Sequence, residues 1–290
     1  MPTGVTITGS LADSLPTVLQ SARVIREFAG VMPRLVDRRK LGTGEGLNWN
    51  EISLSQLTAQ DITETTKLEN HQQLVDTLFS ITPAQVGLSL KVTDRAKRKI
   101  SQNVAALIGS LGQKAMNTKK DKNLLAIGAS ATTDLGTANN PMTVGLVSAA
   151  SSNITGNTTE PGVDMPMYVV MKSFHMADIY DQLTVGMVTY PTPAGLSDST
   201  FRTGFRGSIF NVETFIDDNI TVDSAADAIA IAFGRDAIVH VEAGSPTAYT
   251  DRDNSYGGGA DVMYMYDEYA TGIRNQVWLY AITADATATA

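Results

Sequence analysis

The chain has 290 residues, 22 Lys and Arg against 30 Asp and Glu for a formal net charge of −8, 43% hydrophobic residues and no cysteine. Adequate apolar content with only 18% charged residues excludes a disordered chain, and the length suffices for one large or two smaller cores. The lack of cysteine excludes disulfides, thiolate metal sites and thiol nucleophiles, and no apolar run is long enough to span a bilayer. The N-terminus lacks the pattern of a secretory signal, so we expect a protein made in the cytosol.

Basic residues are concentrated in the first 122 positions. That part has 16 Lys and Arg against 11 Asp and Glu, a net charge of +5, whereas residues 123–290 have 6 and 19, a net of −13. Three clusters account for the excess: Arg34, Arg38, Arg39 and Lys40; Lys91, Arg95, Lys97, Arg98 and Lys99; and Lys114, Lys119, Lys120 and Lys122. One cluster alone usually marks a solvated face, but three together indicate a protein with a basic side that tolerates a polyanion. The overall acidity and the lack of zinc-finger or basic-zipper spacing exclude a sequence-specific DNA reader.

The first predicted element is an amphipathic helix over Ser10–Ala29. Ser14 is a suitable N-cap, Pro16 lies in the first turn and Gly30 ends the helix. Because it follows a Thr- and Gly-rich stretch at the start of the chain, this helix is predicted to be an arm outside the core.

The tract from Arg34 to Val92 predicts a long hairpin with mostly polar faces. It contains a glycine-rich turn, Gly42–Gly46, and a second extended run, Leu78–Val92, which Pro83 interrupts. Such a hairpin cannot bury itself against its own core, so its apolar side chains need a neighbour. These side chains are Trp49, Ile52, Leu54 and Leu57.

The strongest helix prediction is Asp94–Thr118, with Thr93 as its cap and a possible continuation to Ile127. At about 1.5 Å per residue the helix would be roughly 40 Å long. Its predicted apolar stripe consists of Ile100, Val104, Leu107, Ile108, Leu111 and Ala115.

The remaining chain alternates short strands with loops and predicts an α+β protein. Residues 128–162 show no clear periodicity, and Ala225–Phe233 fits either a helix or a buried strand. A helix is predicted over Ser173–Leu183. Strands are predicted over Met167–Met171, Phe205–Phe210 and Val212–Phe215, followed by an antiparallel pair, Val262–Tyr266 and Asn275–Thr283.

The motifs of common enzyme classes are missing or incomplete. The Gly42–Gly46 run has Leu47 where a dinucleotide fingerprint needs its third glycine. The acidic run at Asp251 has Tyr256 and Val262 where a calcium loop needs glycine and a carboxylate. The three histidines, His71, His175 and His240, are dispersed and are expected to be hydrogen-bonded structural residues.

Four segments resemble the major capsid proteins of tailed double-stranded DNA bacteriophages, the Hong Kong 97 type. They are Met165–Ile179, Gly204–Glu213, Phe233–Glu242 and Tyr266–Ala284, and the last contains the pattern Y-x-x-G-I-R before an apolar strand and a small-residue tail. The order of elements along the whole chain is also similar to that family.

The resemblance implies a Hong Kong 97-type fold with five parts. They are an N-terminal arm (1–33), an extended E-loop hairpin (34–92), a P domain with a long spine helix (93–131), an A domain (132–202) and return strands of the A and P domains (203–290).

The same resemblance implies a structural protein without catalytic activity, metal or cofactor. Copies would assemble as pentamers and hexamers into an icosahedral shell around a double-stranded DNA genome, with separate scaffolding and portal proteins and no membrane. The protein would reside in the virion after assembly in the host cytoplasm. We expect no covalent cross-link, because the E-loop lysines, Lys40, Lys67 and Lys91, match no cross-linking motif.

Two sets of residues are candidates for contacts in such a shell. The E-loop set, Trp49, Ile52, Leu54 and Leu57, would contact an adjacent subunit. A basic set would face the DNA or pair with acidic parts of neighbours, and both options stay open: Arg38, Arg39, Lys40, Lys97, Arg98, Lys119 and Lys120.

Two alternative functions accompany this prediction. One is an encapsulin-like nanocompartment shell that encloses a cargo enzyme. The other is a hydrolase that uses carboxylates such as Glu213, Asp217 and Asp218.

Overall fold

A computed structural model describes residues 5–6, 30–42, 44–59, 61–62, 71–99, 102–189, 208–255 and 257–287. The helix predicted over Ser10–Ala29 and the first part of the strand predicted over Phe205–Phe210 lie outside the described residues. Among the helices in the described ranges, none combines the length and the hydropathy that a membrane span requires.

Five helices and thirteen strands make up the described chain. The helices are α1 (Met32–Leu35), α2 (Asp94–Lys99), α3 (Gln102–Ala129), α4 (Val144–Thr155) and α5 (Ser173–Thr189). The strands are β1 (Val5–Thr6), β2 (Asp37–Lys40), β3 (Trp49–Leu54), β4 (Asp76–Ile81), β5 (Ala84–Thr93), β6 (Met167–Met171), β7 (Ser208–Ile209), β8 (Val212–Ile216), β9 (Asp227–Gly234), β10 (Ile238–Glu242), β11 (Thr247–Asp253), β12 (Ala260–Ile273) and β13 (Leu279–Asp285).

The first sheet has the strand order β1-β5-β12-β10-β2. Strand β11 pairs with residues 260–266 of β12, and β10 pairs with residues 269–273. The longest strand pairing of this sheet is the antiparallel one between β5 and β12, which runs from Thr93 opposite Ala260 to Ala84 opposite Tyr269. The basic tract Asp37–Lys40 forms edge strand β2, parallel to β10. The sheet therefore joins segments from the start, middle and end of the chain.

The second sheet has the order β13-β9-β6-β8-β7 and is buried on both faces. One face packs on α4 and α5 through Val169 and Ala230, and the other packs on α1 and α3 through Val170 and Ile231. A strand covered on both sides needs a continuous apolar run, which explains the sequence of β6. The same burial resolves the ambiguous tract Ala225–Phe233 as strand β9.

Helix α3 packs on both sheets. In its first half Gly112 lies against Met265 of the first sheet, so closely that a Cβ atom would collide with the methionine sulfur. In its second half Leu124 and Leu125 enter the core of the second sheet, where Gly128 touches Ile231. The helix has 28 residues, about 42 Å at 1.5 Å per residue, and it links the two sheets along this length.

The predicted apolar stripe of this helix is wrong where the structure describes it. Leu111 and Ala115 are exposed, whereas Gly112 and Met116 are buried. The buried face rotates along α3 because the helix meets a different sheet at each end, and a single stripe cannot describe two packing partners. The cap prediction is confirmed, since the Thr93 hydroxyl accepts a hydrogen bond from the Ala96 amide at 3.3 Å.

The two strands predicted near the C-terminus do not pair with each other. Residues 262–266 belong to β12 in the first sheet, and residues 279–285 form β13 in the second sheet. The side chain of Asn275 caps a short 3₁₀ turn, Gln276–Trp278, by accepting from the Val277 amide at 3.0 Å. This turn directs the chain from one sheet to the other.

Helix α4 was missed because residues 128–162 show no clear apolar period in the sequence. Small residues, such as Ala150 and Ser151, lie on its buried side, so its buried face carries little hydrophobic signal. Thr143 caps its start by accepting from the Leu146 amide at 3.3 Å.

We predict that Phe233→Ala lowers the free energy of unfolding by about 3–5 kcal/mol, because the Phe233 side chain is fully buried between the second sheet and α3. The matched control is Phe210→Ala. Phe210 is 59% exposed, so its truncation is expected to change stability by less than about 0.5 kcal/mol. Equilibrium urea unfolding of the purified subunit measures both values, and equal losses would contradict the assignment of Phe233 to the core.

Candidate functional site

Strands β3 and β4 form a separate two-stranded hairpin. Their register runs from Trp49 opposite Ile81 to Leu54 opposite Asp76, and a hydrogen bond of 2.8 Å from the Ser55 amide to the Val75 carbonyl extends it. A two-stranded hairpin is only marginally stable in water without a surface to pack on. This hairpin therefore needs a surface to pack against.

The inner face of the hairpin packs against its own subunit. Trp49 contacts Phe79 edge to face, with ring centroids 6.2 Å apart. Phe79 and Ile81 approach Gly272 at the end of β12, where a Cβ atom would crowd both side chains. Trp49, which the sequence predicts to be available to a neighbour, lies on this inner, half-buried face.

The outer face and the distal part of the hairpin expose several large apolar side chains. Ile52 lies opposite Leu78 on this face, and Leu54 follows two residues along. Each side chain is more than half exposed: Leu47, Ile52, Leu54, Leu57, Ile62, Leu74, Val75 and Leu78. We call Ile52, Leu54, Leu57, Leu74, Val75 and Leu78 the apolar hairpin surface. A patch of this kind usually marks a binding site for another protein.

Half of the residues of this surface are predicted from the sequence. Ile52, Leu54 and Leu57 were predicted, and Leu74, Val75 and Leu78 were missed. The strand register was the missing information, because only the pairing of β3 with β4 places Leu78 beside Ile52. The contact of these residues with another subunit stays a prediction.

Arg274 anchors the base of the hairpin. Its Nε donates to Glu51 of β3 at 2.7 Å, and its Nη2 donates to Asp37 of β2 at 2.7 Å. Its Nη1 donates to the carbonyl of Asp236 at 3.3 Å. The side chain is 15% exposed, so these charged hydrogen bonds are shielded from water and fix the direction in which the hairpin leaves the first sheet.

Four of the seven basic candidates form ion pairs within their own subunit. Arg38 pairs with Glu242 at 3.1 Å and Arg39 with Asp37 at 3.0 Å. Lys97 pairs with Asp261. Lys120 pairs with Glu242 at 3.1 Å and Asp267 at 2.7 Å. Pairing within the subunit was not anticipated, since the acidic partners lie more than a hundred residues away for all but Arg39.

Lys120 cannot belong to an outward basic surface, which corrects its placement among the DNA-facing candidates. Its side chain is 10% exposed and its ammonium lies 5.3 Å from the centre of the Tyr269 ring. Burial tends to raise the pKa of Glu242, but the hydrogen bond and charge of Lys120, together with Arg38, outweigh it and hold that pKa below its usual range. This carboxylate therefore stabilises the fold at neutral pH and loses its contribution in acid.

A basic surface does remain on the outer side of α3. Lys114, Lys119 and Lys122 are exposed and have no ion pair with an acidic side chain among the described residues. The single acidic residue of α3, Asp121, is buried. Lys40 and Arg98 from the predicted set are also exposed without such a pair in the described part of the chain. We call Lys114, Lys119 and Lys122 the basic helix face.

The carboxylates proposed for a hydrolase do not converge on a reaction site. Asp217 is buried and accepts backbone hydrogen bonds from Val31 and Asn219 at 3.0 Å each. Asp218 caps α5 by accepting from the Ser173 amide at 3.1 Å, and Glu213 is exposed on β8. Among the described residues there is no group of three or more potential metal ligands.

The buried histidines are structural, although one differs from the expectation. His175 Nε2 lies 3.3 Å from the Ala284 carbonyl oxygen. Among the described residues, His240 forms no hydrogen bond of normal geometry from either ring nitrogen: its Nε2 lies 3.5 Å from Glu242 Oε1, and its ring packs 5.5 Å from that of Tyr269. Burial lowers the pKa of both side chains, so both stay neutral.

No family model and no curated protein matches the chain at the level of sequence. Solved structures do match over nearly the full length. The capsid of cyanophage Pam1 has 10% identity and a TM-score of 0.73, with 100% of both chains covered. The capsid of cyanophage P-SCSP1u has 12% identity and a TM-score of 0.70, with 97% of this chain and 96% of that chain covered.

A third similar structure is the capsid of a native gene transfer agent particle, with 11% identity and a TM-score of 0.64 over 93% of this chain and 95% of that chain. These similarities confirm the predicted α+β fold of the Hong Kong 97 type. They do not favour the nanocompartment or hydrolase alternatives. The five domain boundaries predicted from the sequence stay predictions.

We predict that Lys120→Ala lowers the free energy of unfolding by about 3–5 kcal/mol, because, in the described part of the chain, it leaves the buried Asp267 without a cation and Glu242 with Arg38 as its only one. The matched control, Lys122→Ala, removes an exposed lysine from the same helix and should change stability by less than about 0.5 kcal/mol. Urea unfolding at neutral pH provides the comparison. Equal effects of the two substitutions would contradict the structural role of Lys120.

Proposed function

We propose that this chain is a major capsid protein whose copies form the pentamers and hexamers of an icosahedral shell around double-stranded DNA. The observation that carries the proposal is the apolar hairpin surface, displayed on a fold whose full-length structural matches are capsids. The protein would be structural rather than enzymatic and would reside in the virion after assembly in the host cytoplasm. Separate scaffolding and portal proteins would complete the particle.

The apolar hairpin surface supports self-assembly because the subunit offers these side chains no cover of its own. The inner hairpin face is occupied by contacts of Trp49, Phe79 and Ile81 with the first sheet, so only the outer face is available. A surface on a protruding hairpin that binds a different part of the next copy makes a head-to-tail contact. Repeated contacts of this type close into rings when the rotation allows.

The basic helix face supports packaging of DNA without sequence preference. Its lysines are exposed, and the acidic side chains that neutralise Arg38, Arg39 and Lys97 do not reach them. Lysines bind phosphates as point charges and release counterions, which makes such binding sensitive to salt. Lys40, Arg98 and Lys119 remain the candidates from the original basic set.

We predict that Leu54→Asp prevents assembly while leaving the subunit folded, because it puts a charge into the apolar hairpin surface. Leu54 is 63% exposed, so the substitution removes little buried apolar area, and the new charge opposite Asp76 costs the hairpin only about 0.2–1 kcal/mol. The matched control is Ser53→Asp, which adds the same charge one residue away on the opposite face of the same strand. Light-scattering mass and negative-stain imaging at physiological salt measure assembly.

The expected result is shells or capsomers from the wild type and from Ser53→Asp, and subunits alone from Leu54→Asp. Assembly of all three proteins would show that the apolar hairpin surface is not a subunit contact. A wild-type chain that stays a monomer even with a crowding agent would contradict the proposed function itself.

We predict that the triple substitution of Lys114, Lys119 and Lys122 to Gln weakens binding to random-sequence duplex DNA and flattens its dependence on salt. Each lost phosphate contact should reduce the log–log slope by about 0.9. The control substitutes Arg38 and Lys97 by Gln, which removes two cations that already have acidic partners. Filter binding at several salt concentrations tests the difference, and identical slopes for both variants would exclude the basic helix face as the DNA contact.

A further inference from the structure

Residues 30–36, which include α1, are held against the long helix by two buried carboxyl groups. The Met32 amide donates to Asp121 Oδ1 at 3.1 Å, and the Val31 amide donates to Asp217 Oδ2 at 3.0 Å. Met32 is fully buried in the core below. Gly30 is so close that a Cβ atom would overlap the Asp121 carboxyl group.

Asn219 connects the two carboxyl groups from the other side. Its side-chain amide donates to Asp121 Oδ2 at 2.9 Å, and its backbone amide donates to Asp217 Oδ1 at 3.0 Å. All four carboxyl oxygens thus accept an N–H hydrogen bond. Both side chains have zero exposure, and neither forms an ion pair with a lysine or arginine in the described chain.

The charged groups on the surrounding elements are engaged elsewhere or exposed. Lys172, at the start of α5, donates to the carbonyls of Asp218 and Ile220. The carboxylate of Asp218 caps α5. On α3, Lys120 is paired with Glu242 and Asp267, and Lys122 is exposed, as is Arg34 on α1.

Two adjacent buried carboxyl groups without a cation cannot both be ionised at low cost. Burial and the neighbouring Asp217 raise the pKa of Asp121 to about 7, although the hydrogen bonds from Asn219 and Met32 favour its ionised form. A proton on Asp121 removes the charge that burial and the neighbouring carboxyl group of Asp217 disfavour. In the undocked state Asp121 would meet water and regain its ordinary pKa.

We propose that a proton on the buried carboxyl group of Asp121 fastens segment 30–36 to the long helix, so that this attachment is tight in acid and loosens as the pH rises towards neutrality. The docked state binds the proton more strongly than the undocked state. Docking therefore weakens as the pH rises from about 4 to about 7 and changes little above that range. This proposal concerns the subunit itself and does not require the proposed shell.

Hydrogen–deuterium exchange of the Val31 and Met32 amides in the purified, unassembled full chain tests the proposal. Protection factors, corrected for the intrinsic exchange rate at each pH, should fall about tenfold or more between pH 5 and pH 8. Asp121→Asn removes the ionisable group and should abolish the dependence on pH, with lower protection at every pH, because its amide nitrogen cannot accept the hydrogen bond that a carboxyl oxygen takes from Met32 or Asn219. The matched control, Asp218→Asn, alters the adjacent carboxylate outside the pair and should behave like the wild type.

A further variant shows that the two amides report docking. Gly30→Ala places a methyl group against the Asp121 carboxyl group and should lower protection at both pH values. Equal protection of the wild type at pH 5 and pH 8 would overturn the proposal, even if Asp121→Asn does not fold. A folded Asp121→Asn variant whose protection factors depend on pH as those of the wild type do would also overturn the proposal. Shells that form normally without any pH-dependent protection would contradict this proposal alone and leave the proposed function intact.

Discussion

The packing of helix α3 on two different sheets is the contact on which the rest of the subunit depends. Its first half lies on the sheet that carries the β3–β4 hairpin, and its second half closes the core of the other sheet through Leu124 and Leu125. Along the same helix, Lys120 and Asp121 point to different partners, an acidic cluster and the N-terminal segment. One rigid element therefore positions the hairpin, the second core and the chain start relative to each other.

The distribution of polar and apolar groups follows from that arrangement. Some charged side chains of the basic clusters are neutralised inside the subunit, and the long β5–β12 pairing brings acidic residues beside Lys91 and Lys97. Apolar side chains of the hairpin, in contrast, find cover on the inner face alone. The described part of the subunit thus leaves both the basic helix face and the apolar hairpin surface without partners of its own, and exposed apolar surface of this kind is expected of a protein that associates with other chains.

The sequence predicts the structure correctly where a local pattern has a single packing partner. The apolar run of β6, the break at Pro83 and the cap at Thr93 were all predicted, because each depends on neighbours within a few residues. The predictions failed where two distant segments meet. The stripe of α3, the partners of β12 and β13, the contacts of Lys120 and the role of Arg274 all depend on contacts between segments that are far apart in the sequence.

Arg274 also determines when, during synthesis of the chain, the hairpin can take its final direction. It binds Glu51 and Asp37, which precede it by 223 and 237 residues, so the hairpin base is completed only by a residue near the end of the described chain. During synthesis the ribosome must add these residues before the hairpin takes its final direction. A chain that stops before Arg274 would leave the angle of the hairpin undefined. These contacts of Arg274 thus delay the final direction of the hairpin until residue 274 has been made.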